Sequence, residues 1–228
     1  MKIAFLHALP FDGRMWEPQL DAFGAEHDVQ APTLYDLGSN FDEWALGVLQ
    51  AVPGRFVAVG ASMGGYTAAA VARLAPERLE AIVMVGSRAD ADPPERRPLR
   101  EEWIRIAREQ GGEGLWQAQA KDFFAVDTPW EIVERGHRIA IEQHPAALER
   151  AVVAIRDRPD STEAVTNGLP LLVVAGDADP LIPPAVEEKL AAASPNGRVE
   201  ILERCGHVPS MEQPDAFNGI LSAFLATL

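Results

Sequence analysis

Phe56-Val57-Ala58-Val59 runs without a polar residue into Gly60-Ala61-Ser62-Met63-Gly64-Gly65, and an alanine-rich helical pattern follows at once, from Tyr66 to Leu74. An apolar run lacking polar alternation suits a strand buried on both faces of a parallel sheet, and a parallel strand needs a crossover to reach its neighbour. The same grammar recurs along the chain. Apolar runs at Lys2–His7, Asp28–Pro32, Arg55–Ala61, Ala81–Gly86, Leu169–Ala175 and Arg198–Leu202 are interleaved with helical patterns. Those patterns cover Trp16–Phe23, Asn40–Gln50, Gly64–Ala75, Pro184–Ala193 and Pro214–Leu225. Strand alternating with helix at this spacing predicts a doubly wound, mostly parallel α/β sheet of about six strands.

One segment breaks the rhythm. From Arg88 to Asp160 no strand candidate occurs, and four helical stretches do: Pro94–Gln110, Glu113–Phe124, Thr128–Gln143 and Pro145–Asp157. Gly111-Gly112, Pro129, Pro145 and Pro159 punctuate them. The segment carries 12 of the 20 basic and 15 of the 34 acidic side chains, as solvated amphipathic helices would. The expected organisation is therefore an α/β core from residues 1–87 and 161–228, with residues 88–160 inserted as a four-helix cap over the working edge of the sheet.

Charge and composition narrow the partners. A net charge of −14 repels nucleic-acid backbones and anionic lipid heads, so neither is an expected partner. No apolar run approaches the roughly 20 residues that span a bilayer. The chain reaches His7 and Pro10 too soon for a secretory leader, so the expected location is cytoplasmic. Cys205 is the single cysteine, which excludes an intrachain disulfide. The five histidines form no H-x-x-x-H pair, and no G-x-G-x-x-G or phosphate-binding lysine loop occurs. The expectation is an enzyme without metal or cofactor, working on a small molecule as a monomer or homodimer.

The chemistry centres on Ser62. A G-x-S-x-G turn between a strand and a helix thrusts its serine out at the end of the sheet, where free N–H groups of the helix N-terminus face any anion that forms. A serine hydroxyl needs a base to take its proton. Of the histidines, His207 in Gly206-His207-Val208-Pro209 follows the last strand and should hang over the same edge, whereas His137 and His144 fall in the cap. The base in turn needs an acid to hold its tautomer. The run Leu171–Ala175 leads into Gly176-Asp177-Ala178-Asp179-Pro180, which offers two aspartates at one strand end. Chain order, serine then aspartate then histidine, does not choose between Asp177 and Asp179.

Taken together, Phe56–Tyr66, Leu171–Pro184 and Gly206–Pro214 resemble an α/β-hydrolase, a likeness that extends over nearly the whole chain. In that family the acid usually closes a G-x-x-D segment with a proline shortly after. The resemblance thus assigns the role to Asp179, in Gly176-Asp177-Ala178-Asp179 with Pro183, and leaves Asp177 to the turn. It implies an oxyanion hole made by the backbone N–H groups of Met63 and of Leu9. Leu9 lies in His7-Ala8-Leu9-Pro10, where relatives carry His-Gly-x-Pro and this chain has alanine. His7 in such a loop is usually a brace. Larger relatives place two antiparallel strands ahead of this loop. Here the strand begins at Lys2, so six strands are expected, not eight.

Serine at the elbow, in place of aspartate, points to acyl transfer. Leu9–Trp16 and Ala61–Tyr66 are similar to small carboxylesterases and to 3-oxoadipate enol-lactonases, so the resemblance implies a serine esterase or lactonase. The same triad would also serve a C–C bond hydrolase, a cofactor-free perhydrolase or a small-molecule receptor. In the cap, Trp103, Trp116, Phe123, Phe124 and Trp130 are expected to line an apolar acyl or alcohol pocket.

Overall fold

In the computed structural model, which describes residues 1–228, the apolar runs become β1 (Lys2–Leu6), β2 (Asp28–Gln30), β3 (Phe56–Ala61), β4 (Leu79–Val85), β5 (Leu171–Gly176) and β6 (Gly197–Leu202). They form one sheet in the order β2-β1-β3-β4-β5-β6, and every neighbouring pair is parallel. The central strands β3 and β5 are buried along their whole length. At the edge, β6 departs from the expectation of burial on both faces: none of its residues is fully buried, and Arg198, Glu200 and Ile201 are exposed.

Successive side chains of a strand point to opposite faces, and the core divides accordingly. Ala4, Leu6, Ala58, Ile82, Met84, Leu171 and Val173 belong to one apolar cluster, and Ile3, Phe5, Val57, Val59, Val83, Leu172 and Val174 to the other. Helix α1 (Glu17–Phe23) covers the second face through Phe23, whereas α2 (Phe41–Ala51) and α3 (Met63–Leu74) cover the first through Trp44, Ala45, Val48 and Ala68–Ala72. Helix α2 begins where its sequence predicts a cap. The Asn40 side chain accepts from the Asp42 and Glu43 N–H groups, and Glu43 reaches back to the Ser39 N–H.

Between β4 and β5 lie α4 (Arg97–Phe123), α5 (Trp130–Ile141), α6 (Pro145–Asp157) and the short α7 (Thr162–Thr166). Helix α4 is broken at Gly111, whose φ of 62° and ψ of −147° leave the helical region, so it acts as two helices with the interruption at the predicted Gly-Gly pair. The chain finishes with α8 (Pro184–Ala193), α9 (Pro209–Glu212) and α10 (Pro214–Leu225). Helix α8 adds Leu190 and Ala191 to the first cluster, and α10 adds Phe217, Leu221 and Phe224 to the second. No helix is long and apolar enough to cross a membrane.

The strand order reverses direction at β1: the chain moves outward to β2, then returns to β3 on the other side. Such a switch leaves a crevice beyond the carboxyl ends of the two flanking strands. The register pairs Leu6 of β1 with Gly60 of β3, which brings the loop after β1 beside the turn that carries Ser62.

Candidate active site

Ser62 has φ of 47° and ψ of −109°, a conformation that non-glycine residues rarely adopt. Its surroundings hold it there. The Ser62 N–H donates to the Val85 carbonyl (2.8 Å), and the Ser62 carbonyl accepts from the Gly65 N–H (2.9 Å) and the Ser87 hydroxyl (2.9 Å). Glycine at position 64 is a packing requirement, since a Cβ there would run into the Leu6 carbonyl of the adjacent strand. Ser62 itself stays half-exposed while Ala61 and Met63 on either side are buried.

The two aspartates that chain order leaves open have different surroundings. Asp179 is buried; its Oδ2 lies 2.7 Å from His207 Nδ1, and its Oδ1 accepts from the N–H groups of Leu181 (2.8 Å) and Ile182 (3.1 Å). Both oxygens are therefore satisfied, and the carboxylate is fixed by the turn before α8. Asp177 is exposed and accepts from the Cys205 N–H at 3.2 Å, bracing the loop that leads to His207. A third carboxyl, on Glu187 of α8, is fully buried with its Oε1 accepting from the Ser87 N–H (3.2 Å). Burial, reinforced by the charge of Asp179, pushes Glu187 well above the usual carboxylate range.

His207 is buried and held from three sides. Its ring stacks on Phe123 with centroids 6.1 Å apart, its N–H donates to the Phe123 carbonyl (2.8 Å), and Nδ1 meets Asp179. His207 and Ser62 border one cavity, although the Ser62 hydroxyl is not hydrogen-bonded to the ring in this geometry. Glu212, which the sequence reading passed over, organises the loop. Its carboxylate accepts from the N–H groups of Gly206 and Val208 on both sides of His207, and from the Ala125 N–H and Thr128 hydroxyl beyond α4.

Leu9 sits in the loop after β1 and borders the same cavity. Met63 opens α3, so its N–H has no carbonyl one turn earlier in the helix to bond. Alanine in place of glycine at position 8 is accommodated, because Ala8 does not lie in the left-handed region that would demand glycine. His7 is fully buried, accepts from the Leu34 N–H on Nε2 (2.9 Å) and lies 3.2 Å from the Ala8 carbonyl through Nδ1. It ties the loop to the segment after β2 and does not border the cavity.

The cavity measures about 30 Å³ and is bounded by Leu9, Ser62, Tyr66, Trp103, Phe123 and His207, with Arg96, Arg100, Gln119, Ile155, Leu181 and Ile182 completing the walls. Of the five aromatic residues expected around a pocket, Trp103 and Phe123 lie on it. Trp116 and Phe124 do not: they pack, edge-on and tilted, in the second apolar cluster, Trp116 lying 6.4 Å from Phe11 and 6.0 Å from Phe124 between ring centroids. Trp130, at the first position of α5, is 68% exposed and lies away from the cavity. The polar wall residues Arg96, Arg100 and Gln119 were not singled out in the sequence. Their signal was the spacing of Arg96, Arg100 and Trp103, which shares one helical face. Nowhere do three or more His, Cys, Asp or Glu side chains gather in a way that could hold a metal ion.

Comparison with known proteins agrees with this architecture. The model of the alpha/beta hydrolase family matches residues 3–220. A pimeloyl-[acyl-carrier protein] methyl ester esterase of Serratia marcescens is 27% identical over 197 residues, covering 78% of this chain and 73% of that protein. A 3-oxoadipate enol-lactonase of Acinetobacter baylyi is 27% identical over 170 residues, covering 73% and 62%. Among solved structures, a thermophilic esterase from Thermogutta terrifontis superposes with a TM-score of 0.93 at 25% identity, covering all of this chain and 90% of that one.

Proposed function

The chain belongs to the alpha/beta hydrolase family, and on that premise we propose that it is a serine hydrolase that cleaves a small carboxylic ester or lactone through an acyl-enzyme intermediate. The observation that carries this reading is the buried 2.7 Å contact between Asp179 and His207, at a cavity onto which Ser62 also opens. The relatives named as a methyl ester esterase and an enol-lactonase support the same reaction class.

In this reading the Ser62 Oγ adds to the substrate carbonyl while His207 Nε2 takes its proton, and Asp179 keeps the Nδ1 proton in place and stabilises the imidazolium. The carbonyl oxygen becomes an oxyanion that accepts from the Leu9 and Met63 N–H groups. The tetrahedral adduct collapses by breaking the carbon–oxygen bond to the alcohol, which leaves with the proton returned by His207. Water then repeats the sequence on the Ser62 ester, with His207 again as base, and releases the acid. A lactone follows the same course with its alcohol still tethered to the acyl group. The helices of residues 88–160 serve as a cap, with Trp103 and Phe123 as the apolar wall beside the reacting carbon.

The assignment of the acid is tested by comparing two neighbouring aspartates on one p-nitrophenyl ester. Asp179→Asn is expected to lower kcat by a factor approaching roughly 10⁴, because the imidazole loses its tautomeric partner. Asp177→Asn is expected to stay within about a factor of ten of the parent, since asparagine retains an oxygen to accept from the Cys205 N–H. Equal losses in the two variants would remove Asp179 from the proposed triad.

A further inference from the structure

Two of the residues that border the cavity, Arg96 and Arg100, are cationic. Four guanidinium groups, those of Arg88, Arg96, Arg100 and Arg158, cluster where the chain enters and leaves the helices between β4 and β5, and two carboxylates answer them. Arg88 pairs with Asp90. Asp92, whose side chain is 2% exposed, takes both Arg100 (2.9 Å) and Arg158 (2.7 Å). Arg96 is left with no carboxylate: its contact is the Leu181 carbonyl at 2.7 Å. In a chain with a net charge of −14, an unneutralised cation beside Ser62 is out of keeping with the rest of the molecule. Burial and the charge of Arg100 both push the Arg96 pKa down, a cost that an anion placed beside it would relieve.

A second feature points to the same spot. Gln119 on α4 borders the cavity and is 2% exposed, yet its Nε2 has no hydrogen-bond acceptor. An orphaned amide donor is costly inside a protein unless a ligand supplies the acceptor. Arg96 and Gln119 thus border the same small space as Ser62 and His207.

We propose that the cavity binds an ester that also carries an ionised carboxylate, and that Arg96 and Gln119 receive this carboxylate while the ester carbonyl meets Ser62. The proposal rests on the serine-hydrolase reading for the identity of the reacting bond. Arg96 supplies charge and planar donors, and Gln119 a further N–H. The carboxylate can belong to the acyl part, as in a half-ester of a dicarboxylic acid, or to the alcohol part, as in an acylated hydroxy acid.

Two pairs of substrates separate those sources, with hydrolysis followed by acid release. Monomethyl glutarate against dimethyl glutarate places the charge on the acyl side, and 3-acetoxypropanoate against butyl acetate places it on the alcohol side. The anionic member is expected to have the higher kcat/KM in one pair, by about tenfold or more. In Arg96→Gln that ratio should fall by about tenfold, chiefly through KM, and Arg96→Lys should recover part of it. Independently of turnover, calorimetric titration of glutarate into Ser62→Ala should show binding that weakens by about tenfold when Arg96→Gln is added. Ester hydrolysis that depends on Ser62, but with a charge preference and glutarate affinity indifferent to Arg96, would overturn this proposal and leave the hydrolase reading standing. Glutarate binding that depends on Arg96, in a protein that hydrolyses no ester, would do the reverse.

Discussion

His7 shows how much a single buried side chain can carry without touching the chemistry. Its ring is fully enclosed, accepts the Leu34 N–H, and lies against the loop that bears Leu9. Burial pushes its pKa down to about 4 from an ordinary 6.5. The unfolded chain therefore takes up a proton as pH falls through 6.5 while the folded protein does not follow until about 4. The His7 contribution to stability is full above pH 6.5 and is lost progressively on acidification, by about 3 kcal/mol in all. Urea unfolding at pH 4.5 and pH 7.5 should show a larger acid loss in the parent than in His7→Gln, by about 2 kcal/mol; equal losses would mean that the ring titrates freely in the folded state. At this scale the sequence was a good guide to residue type and a poor one to geometry. Gly60–Gly65, the aspartate pair Asp177 and Asp179, and His207 could be picked out because the turn, the strand end and the loop each have local signatures. Order alone left Asp177 and Asp179 open, and the distinction between them is a side-chain direction that no spacing records.

Among the elements, the loop carrying His207 depends on Glu212 in the four-residue α9, whose carboxylate gathers four donors from two parts of the chain. Glu212→Ala would leave the buried N–H groups of Gly206 and Val208 without acceptors, at about 1–3 kcal/mol each. The variant is expected to lose about 3 kcal/mol of stability in urea, and its kcat should fall because His207 is no longer held between its two tethered neighbours. A variant with parental stability would show that water replaces the carboxylate there. This residue went unread in the sequence because a glutamate two residues ahead of Pro214 looks like an ordinary acid at a helix start. The strands and the core helices were legible to within a residue or two, since their apolar periodicity is also what buries them. The helices between β4 and β5 were legible as helices, with the break at Gly111-Gly112. What they turn toward Ser62 was not. Trp116 and Phe124 are as apolar as Trp103 and Phe123, and which of them meets the cavity depends on how α4 continues beyond Gly111.

At the level of the whole molecule, a parallel sheet with one reversal of strand order puts four separate strand ends at one crevice. The loop after β1 brings Leu9, the turn after β3 brings Ser62, the turn after β5 brings Asp179, and the loop after β6 brings His207. The helices after β4 contribute Trp103, Gln119, Phe123 and Ile155 to the walls of that crevice. This convergence makes Ser62 the residue on which the proposed function turns. The most direct test is hydrolysis of p-nitrophenyl acetate and butyrate by the parent and by Ser62→Ala, with circular dichroism confirming that both are folded. The account predicts that the variant loses at least about 10³-fold in kcat, with any remainder coming from substrate binding and the oxyanion donors. Ester hydrolysis at parental rate in Ser62→Ala would contradict it.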